Sequence, residues 1–220
     1  MNLQNVEQAR YNMIEQQIRP WDVVDSAVLH LLSVVKREDF VPIAHKSLAF
    51  VDMAIALPGG QSMLAPRLQA RLLQDAEVQE SNKVLEIGTG SGYMSALLAH
   101  QAQRVISLEI NPELADMARA NLQKAGIHNV EVRQADGTQG APGDAPFDVI
   151  VLGGSVAEVS QTLLNQLTVG GRLVAIVGDE PIMHAVVITR TSETNFKTDE
   201  KWDDNAPRLL NFPQPSTFKF

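Results

Sequence analysis

The chain has 220 residues, 45% hydrophobic and 20% charged, with a mean hydropathy of −0.06. This is globular composition, not disorder, and a chain of this length buries on the order of 70% of its unfolded surface without staples. Eighteen basic against 26 acidic residues give a net charge of −8, which argues against duplex nucleic acid as the main partner, and the absence of cysteine excludes disulfides, thiolate metal sites and cysteine nucleophiles.

Length at roughly 150 residues per domain points to one domain with an added segment. The amino-terminal stretch MNLQNVEQARYNMIEQQIRPW has no basic region followed by an apolar one. No apolar run nears the roughly 20 residues that span a bilayer. A cytoplasmic protein with no membrane partner is expected. Residues 1–50 read as helical: Val6, Met13 and Ile14 share a face, and Arg19-Pro20 ends the segment. Asp25-Ser26 caps a second helix through Leu29, Leu32 and Val35, and Phe40-Val41-Pro42 breaks it. Pro58, Gly59 and Gly60 make residues 51–62 a loop. Helical spacing returns from Pro66 with Leu68, Leu72 and Leu73.

From residue 83 strands and helices alternate. Residues 83–87 form an apolar strand running into a glycine loop, and residues 92–100 a helix. Strands follow at 104–109, 129–134 and 147–152. Between the first two of these, Asn111 caps a helix that carries Pro112 in its first turn and stops at Gly126. Residues 158–167 read as helix. Gly170-Gly171 turns into a strand ending at Val177, and 183–189 is a further strand rich in β-branched residues. The tail 191–220, with Pro207, Pro213 and Pro215 and ending Phe218-Lys219-Phe220, reads as extended or irregular. The alternation implies βαβ units and a mostly parallel sheet. Ligands of such sheets lie beyond the carboxyl ends of the strands, here residues 88–92, 109–111, 136–138 and 152–155.

The loop reads Glu86-Ile87-Gly88-Thr89-Gly90-Ser91-Gly92-Tyr93. Its glycines permit tight turning and close approach to a ligand, and the following helix directs its amides at the same space. A phosphate-cradling P-loop fails because no Lys-Ser/Thr follows the last glycine. A dinucleotide fingerprint fits poorly, with Tyr93 at the sixth position. The pattern E-x-G-x-G-x-G resembles the cofactor loop of S-adenosylmethionine-dependent methyltransferases over its full length. Glu109, at the end of the second strand, is placed to accept from both ribose hydroxyls, and Asp136-Gly137 to meet an adenine amino group.

Further motifs narrow the resemblance. Arg10-x-x-Met13, Gln17-Ile18, Phe40-Val41-Pro42, the stretch from Leu57 to Pro66, His128-Asn129-Val130 and Ala145-Pro146-Phe147-Asp148 are similar to those of the protein-L-isoaspartate O-methyltransferases. The resemblance runs over most of residues 10–190. It implies an α/β, Rossmann-like methyltransferase fold whose helical amino terminus, residues 1–80, covers the active site of a core at 81–220. The strand order is altered near the carboxyl end. It also implies S-adenosylmethionine as cofactor, S-adenosylhomocysteine as product, and proteins or peptides with isoaspartyl residues as substrates for repair. Candidate cofactor contacts are Gln61, Ser62, Met63, Leu64, Glu86, Gly88, Thr89, Gly90, Ser91, Gly92, Glu109, Ile110, Asp136, Gly137 and Leu152.

The sequence departs from the family in its acceptor half. The family's catalytic serine falls on Leu64, and the carboxyl-terminal R-F-V-P-L pattern is not visible in residues 207–213. An ionised carboxylate needs no general base, so that serine would orient the acceptor, and its loss removes one hydrogen bond worth roughly 0.5–1.5 kcal/mol. Ser62 is the candidate replacement. Arg67 is a candidate partner for an acidic substrate group or the cofactor carboxylate, and Asp52 a candidate substrate contact. The histidines show no metal-ligand spacing, and no G-x-S-x-G elbow exists. Two alternatives stay open: a methyltransferase with another small-molecule, peptide or RNA acceptor, and a cofactor-binding module without turnover.

Overall fold

Helix α1 (Leu3–Asn12) opens the computed structural model, which describes residues 3–214. It runs on through a π-helical turn, Met13–Ile18, and a 3-10 turn, Arg19–Trp21. Helix α2 (Ser26–Val34) starts where expected, because the Asp25 carboxylate accepts from the Ala27 and Val28 amides, at 2.7 and 3.4 Å. The stretch read as a loop holds a small antiparallel hairpin, β1 (Ile55–Ala56) with β2 (Ser62–Met63), turned through Pro58–Gly60. Helix α3 (Pro66–Ala76) follows, with its proline in the first turn.

The core alternates as expected: β3 (Lys83–Ile87), α4 (Tyr93–Gln101), β4 (Arg104–Glu109), α5 (Pro112–Lys124), β5 (Val130–Gln134) and β6 (Phe147–Val156). The helix expected over 158–167 shrinks to α6 (Gln161–Leu164), because Leu167 already pairs with Phe147 at the start of β7 (Leu167–Asp179). Strand β8 (Ile182–Arg190) pairs antiparallel with β7. The tail is not irregular throughout: β9 (Phe196–Asp203) pairs with β8 along its length. Pro215 and the terminal Phe218-Lys219-Phe220 lie outside the described residues.

The seven strands lie in the order β5-β4-β3-β6-β7-β8-β9, parallel from β5 to β7 and antiparallel beyond. Chain direction across the sheet reverses between β3 and β6, so the crevice at their carboxyl ends is the switch point where ligands of such sheets bind. Burial on both faces explains the mostly apolar make-up of β3, in which Glu86 is a buried carboxyl. Val84 faces a core shared with α3 and α4, while Leu85 and Ile87 face a second core on the opposite side. Met13, Ile18, Leu32 and Phe40 of the amino-terminal segment belong to the same core as Val84 and Val105. That segment is thereby packed onto the α3–α4 side of the sheet. No described helix is long and apolar enough to cross a membrane.

Candidate functional site

Strand β3 delivers the chain to the crevice at Gly88, whose φ of +91° is strained for any side chain. Space is also short there: a Cβ on Gly88 would stand 2.8 Å from Leu209 Cδ2. At the neighbouring strand end a Cβ on Gly153 would meet the Gly88 carbonyl at 2.4 Å. The two strand ends thus touch main chain to main chain. Glu109, only 4% exposed, locks the loop from the β4 side. Its carboxylate accepts from the Gly90 amide at 2.8 Å and from the Asn111 amide at 3.0 Å.

These elements line an open cleft of about 500 Å³. Its walls are Ile87, Gly88 and Gly90 of the loop, Glu109, Ile110 and Leu114 of the β4–α5 turn, Ala135 and Gly137 after β5, and Gly153. Gln61 and Ser62 of the hairpin close one side, and Leu209, Leu210 and Phe212 of the tail the other. A second space of about 340 Å³ adjoins it across Ser62, Gly88, Gly90 and Gly153. Met63, Leu64, Gln69, Thr89, Ser91, Tyr93 and Met94 line that pocket.

The structure therefore brings together Gln61, Ser62, Met63, Leu64, Gly88, Thr89, Gly90, Ser91, Glu109, Ile110 and Gly137, as the sequence placed them. Other expectations are corrected. Glu86 does not face the cleft. It is fully buried, and its Oε2 accepts from the hydroxyls of Ser95 and Ser107, the latter at 2.5 Å. Burial pushes its pKa up to about 7. Ser107 in turn bonds the Thr89 hydroxyl at 2.6 Å, so Glu86 braces the glycine loop from below. Leu152 is fully buried in the second core, and Gly153 lines the cleft in its place. Gly92 caps α4 and lines neither space; a Cβ there would meet Ala118 of α5 at 3.2 Å.

Arg67 and Asp52 face each other. Arg67 Nε lies 3.2 Å from Asp52, its Nη2 lies 2.9 Å from Asp204, and its guanidinium stacks 4.1 Å over the Trp21 ring. Two carboxylates already neutralise this arginine, and neither Arg67 nor Asp52 lines the two spaces. Their pairing joins residues 15 and 137 positions apart, which no local pattern displays. Among the described residues, no three His, Asp or Glu side chains form a metal-binding group.

Three contributors escaped sequence reasoning. The tail is sewn to the end of β6: Ser155 N donates to Pro207 O at 2.8 Å, Leu209 N to Ser155 O at 2.9 Å, and the Ser155 hydroxyl to Ala206 O at 2.8 Å. This carries Leu209, Leu210 and Phe212 over the cleft. Asn211 donates to Asp136 Oδ2 at 2.8 Å, and with the Thr138 amide it holds that carboxyl below the usual range. Second, Ala135 and Leu114 complete the apolar wall; their nearness to Asp136-Gly137 and to the Asn111 cap is the signal that could have found them. Third, Arg37 lies fully buried behind Leu64, with nothing in the polar run Lys36-Arg37-Glu38-Asp39 to single it out.

A family model described as protein-L-isoaspartate(D-aspartate) O-methyltransferase matches residues 8–203. A protein-L-isoaspartate O-methyltransferase of Methanoculleus marisnigri is 41% identical over 181 residues, 82% of this chain and 82% of that protein. Another, from Pelobacter propionicus, is 39% identical over 200 residues, covering 90% of this chain and 89% of that one. Among solved structures, a protein-L-isoaspartate O-methyltransferase from Plasmodium falciparum in complex with S-adenosyl-L-homocysteine superposes with a TM-score of 0.75. It covers 91% of this chain and 95% of that one, at 19% identity.

Proposed function

From the premise that the chain belongs to the protein-L-isoaspartate(D-aspartate) O-methyltransferase family, we infer that it is an S-adenosylmethionine-dependent O-methyltransferase acting on the free carboxylate of isoaspartyl residues in proteins and peptides. The observation that carries this reading is one crevice lined at once by the glycine loop, the Glu109 carboxylate and the Ser62–Leu64 edge.

The residues fit the cofactor. A nucleoside with an amino-acid tail needs an acceptor for its sugar hydroxyls, a flat apolar slot for its base and main chain bare of Cβ atoms for its tail. Glu109 keeps lone pairs free beyond those engaged by Gly90 and Asn111 and would hold the ribose. Ile110, Leu114, Gly137 and Phe212 would flank the base, with Asp136 at its edge. Gly88, Thr89 and Gly90 would lie under the tail. When bound, S-adenosylmethionine supplies a methyl group already activated on a sulfonium.

The chain then has to strip water from the acceptor and aim it. A carboxylate is ionised at pH 7, so no residue has to remove a proton. The adjoining pocket has Met63, Leu64 and Met94 in its walls, and these apolar side chains would strip water from the acceptor. Ser62 lines both spaces, and its hydroxyl would orient the acceptor oxygen. Arg67 and Asp52 would hold the start of α3 in place behind the hairpin through their mutual pairing. A cytoplasmic setting is part of the same proposal, since a cysteine-free chain needs no oxidising compartment to fold.

The apolar Leu64 at the family's serine position also favours a second reading, in which the same chemistry serves a less polar acceptor. Incubation with methyl-labelled S-adenosylmethionine separates the two. Base-labile label on an isoaspartyl peptide, and none on its aspartyl isomer, supports repair. Label appearing only on another molecule of a cell extract supports the second reading, and no label anywhere contradicts both.

A further inference from the structure

Arg37 is a buried cation that the reading above leaves without a task. It is 0% exposed, yet no carboxylate of the described residues lies within 4.0 Å of its guanidinium; its bonds run to neutral acceptors. Nε donates to Ala49 O at 3.0 Å, Nη2 to Leu64 O at 2.8 Å and Nη1 to Gln69 Oε1. The face of the Tyr93 ring, 5.2 Å from the guanidinium carbon, offers partial relief. Nearby carboxylates are engaged elsewhere: Glu38 pairs with Arg10, and Asp52 with Arg67. Burial pushes the pKa of Arg37 down to about 10, which leaves it charged at neutral pH.

A charge removed from water without a counter-ion is costly and persists where something compensates it. Leu64, Gln69 and Tyr93, the three residues Arg37 touches on its inner side, all line the pocket beside the glycine loop. The cation therefore stands directly behind the wall that the acceptor would face. Little water intervenes to screen it.

We propose that Arg37 is the positioning residue that makes this pocket select an anionic carboxylate, acting through the Leu64–Gln69 wall by charge and not by contact. The inference rests on the isoaspartyl reading and deepens it. The Leu64 side chain offers the acceptor no hydrogen bond, and a full charge behind it supplies attraction of longer reach. The same charge raises the penalty for a neutral acceptor, which gains nothing from it.

The test is calorimetry on the full chain saturated with S-adenosylhomocysteine. It is titrated with an isoaspartyl peptide and with the isoasparaginyl peptide, which bears a carboxamide in place of the free carboxylate. The wild type is expected to prefer the acid by roughly tenfold or more. Arg37→Met should reduce that preference to within about twofold, and Arg37→Lys should restore most of it. The affinity for S-adenosylhomocysteine should stay unchanged in both. Should Arg37→Met fail to fold, Arg37→Gln keeps an amide donor for the Leu64 carbonyl while removing the charge, and it should reduce the preference as far. A purely structural arginine would leave the acid-to-amide ratio untouched. Wild-type preference retained in Arg37→Met or Arg37→Gln overturns the Arg37 proposal alone. A wild type that takes up neither peptide overturns the isoaspartyl reading and the proposal with it.

Discussion

Around the glycine loop the geometry is set by main chain. The Gly88 and Gly153 backbones touch, and Glu109 is fixed by two amides from its own strand end and the neighbouring loop. Around Leu64 the geometry is set by side chains that meet from far apart: Arg37 with Gln69, and Arg67 with Asp52 and Asp204. The first region has few alternatives, because a Cβ or a shifted carboxylate breaks it. The second is held by side chains that could be exchanged for others while the fold stands. Main-chain geometry holds the donor half constant, and side-chain geometry leaves the acceptor half free to vary.

Substitutions can break or sharpen this contrast, and the largest effect is expected in the donor half. Gly88→Val forces a branched side chain into a left-handed backbone against Leu209. It should raise the dissociation constant for S-adenosylhomocysteine by about 100-fold or more, measured by calorimetry. Glu109→Ala leaves the Gly90 and Asn111 amides without an acceptor as well as the ribose, and should weaken the same titration by roughly 10- to 100-fold. An unchanged affinity would refute the ribose assignment.

Glu86 tests the brace beneath the loop. Its carboxyl titrates near 7 in the fold and at its ordinary 4.5 in the unfolded chain. Between those values the folded state keeps a proton that the unfolded state has released, so this group lowers stability as pH rises and exerts its full penalty above pH 7. Glu86→Gln removes the penalty. Its melting temperature should overtake that of the wild type between pH 5 and pH 8, with a relative gain on the order of 1–3 kcal/mol. Parallel curves for the two proteins would show that Glu86 does not titrate in this range.

In the acceptor half, Leu64→Ser returns the family's hydroxyl. It should raise kcat/KM for an isoaspartyl peptide by about tenfold while the donor's dissociation constant stays within twofold. A matching change in both would erase the boundary drawn between the halves. The smallest effect is expected from Asn211→Ala at the exposed edge of the cleft, where losing the bond to Asp136 should change donor affinity by about threefold or less.

The same contrast decides what could be read from the residues. The glycine loop, Glu109 and the strands from Lys83 to Leu152 are legible because parallel strands are short apolar runs and their loops are local. Strand β9 is not, because Phe196-Lys197-Thr198-Asp199-Glu200-Lys201 carries the charge an edge strand uses to remain unpaired on its open side, and that charge reads as loop. The span 158–167 misled for the opposite reason. Its apolar residues serve both a one-turn helix and the first residue of β7, and the sequence marks no break between them. Arg67 and Asp52 are visible as candidates, but their mutual pairing, like the burial of Arg37, depends on contacts between distant segments.

Calorimetric titration of ligand-stripped wild-type protein with S-adenosylmethionine and S-adenosylhomocysteine tests the donor cleft most directly. Saturable heat at one site per chain for both compounds is the expected result. A flat titration with both would mean that the space between Gly88 and Glu109 holds no methyl donor.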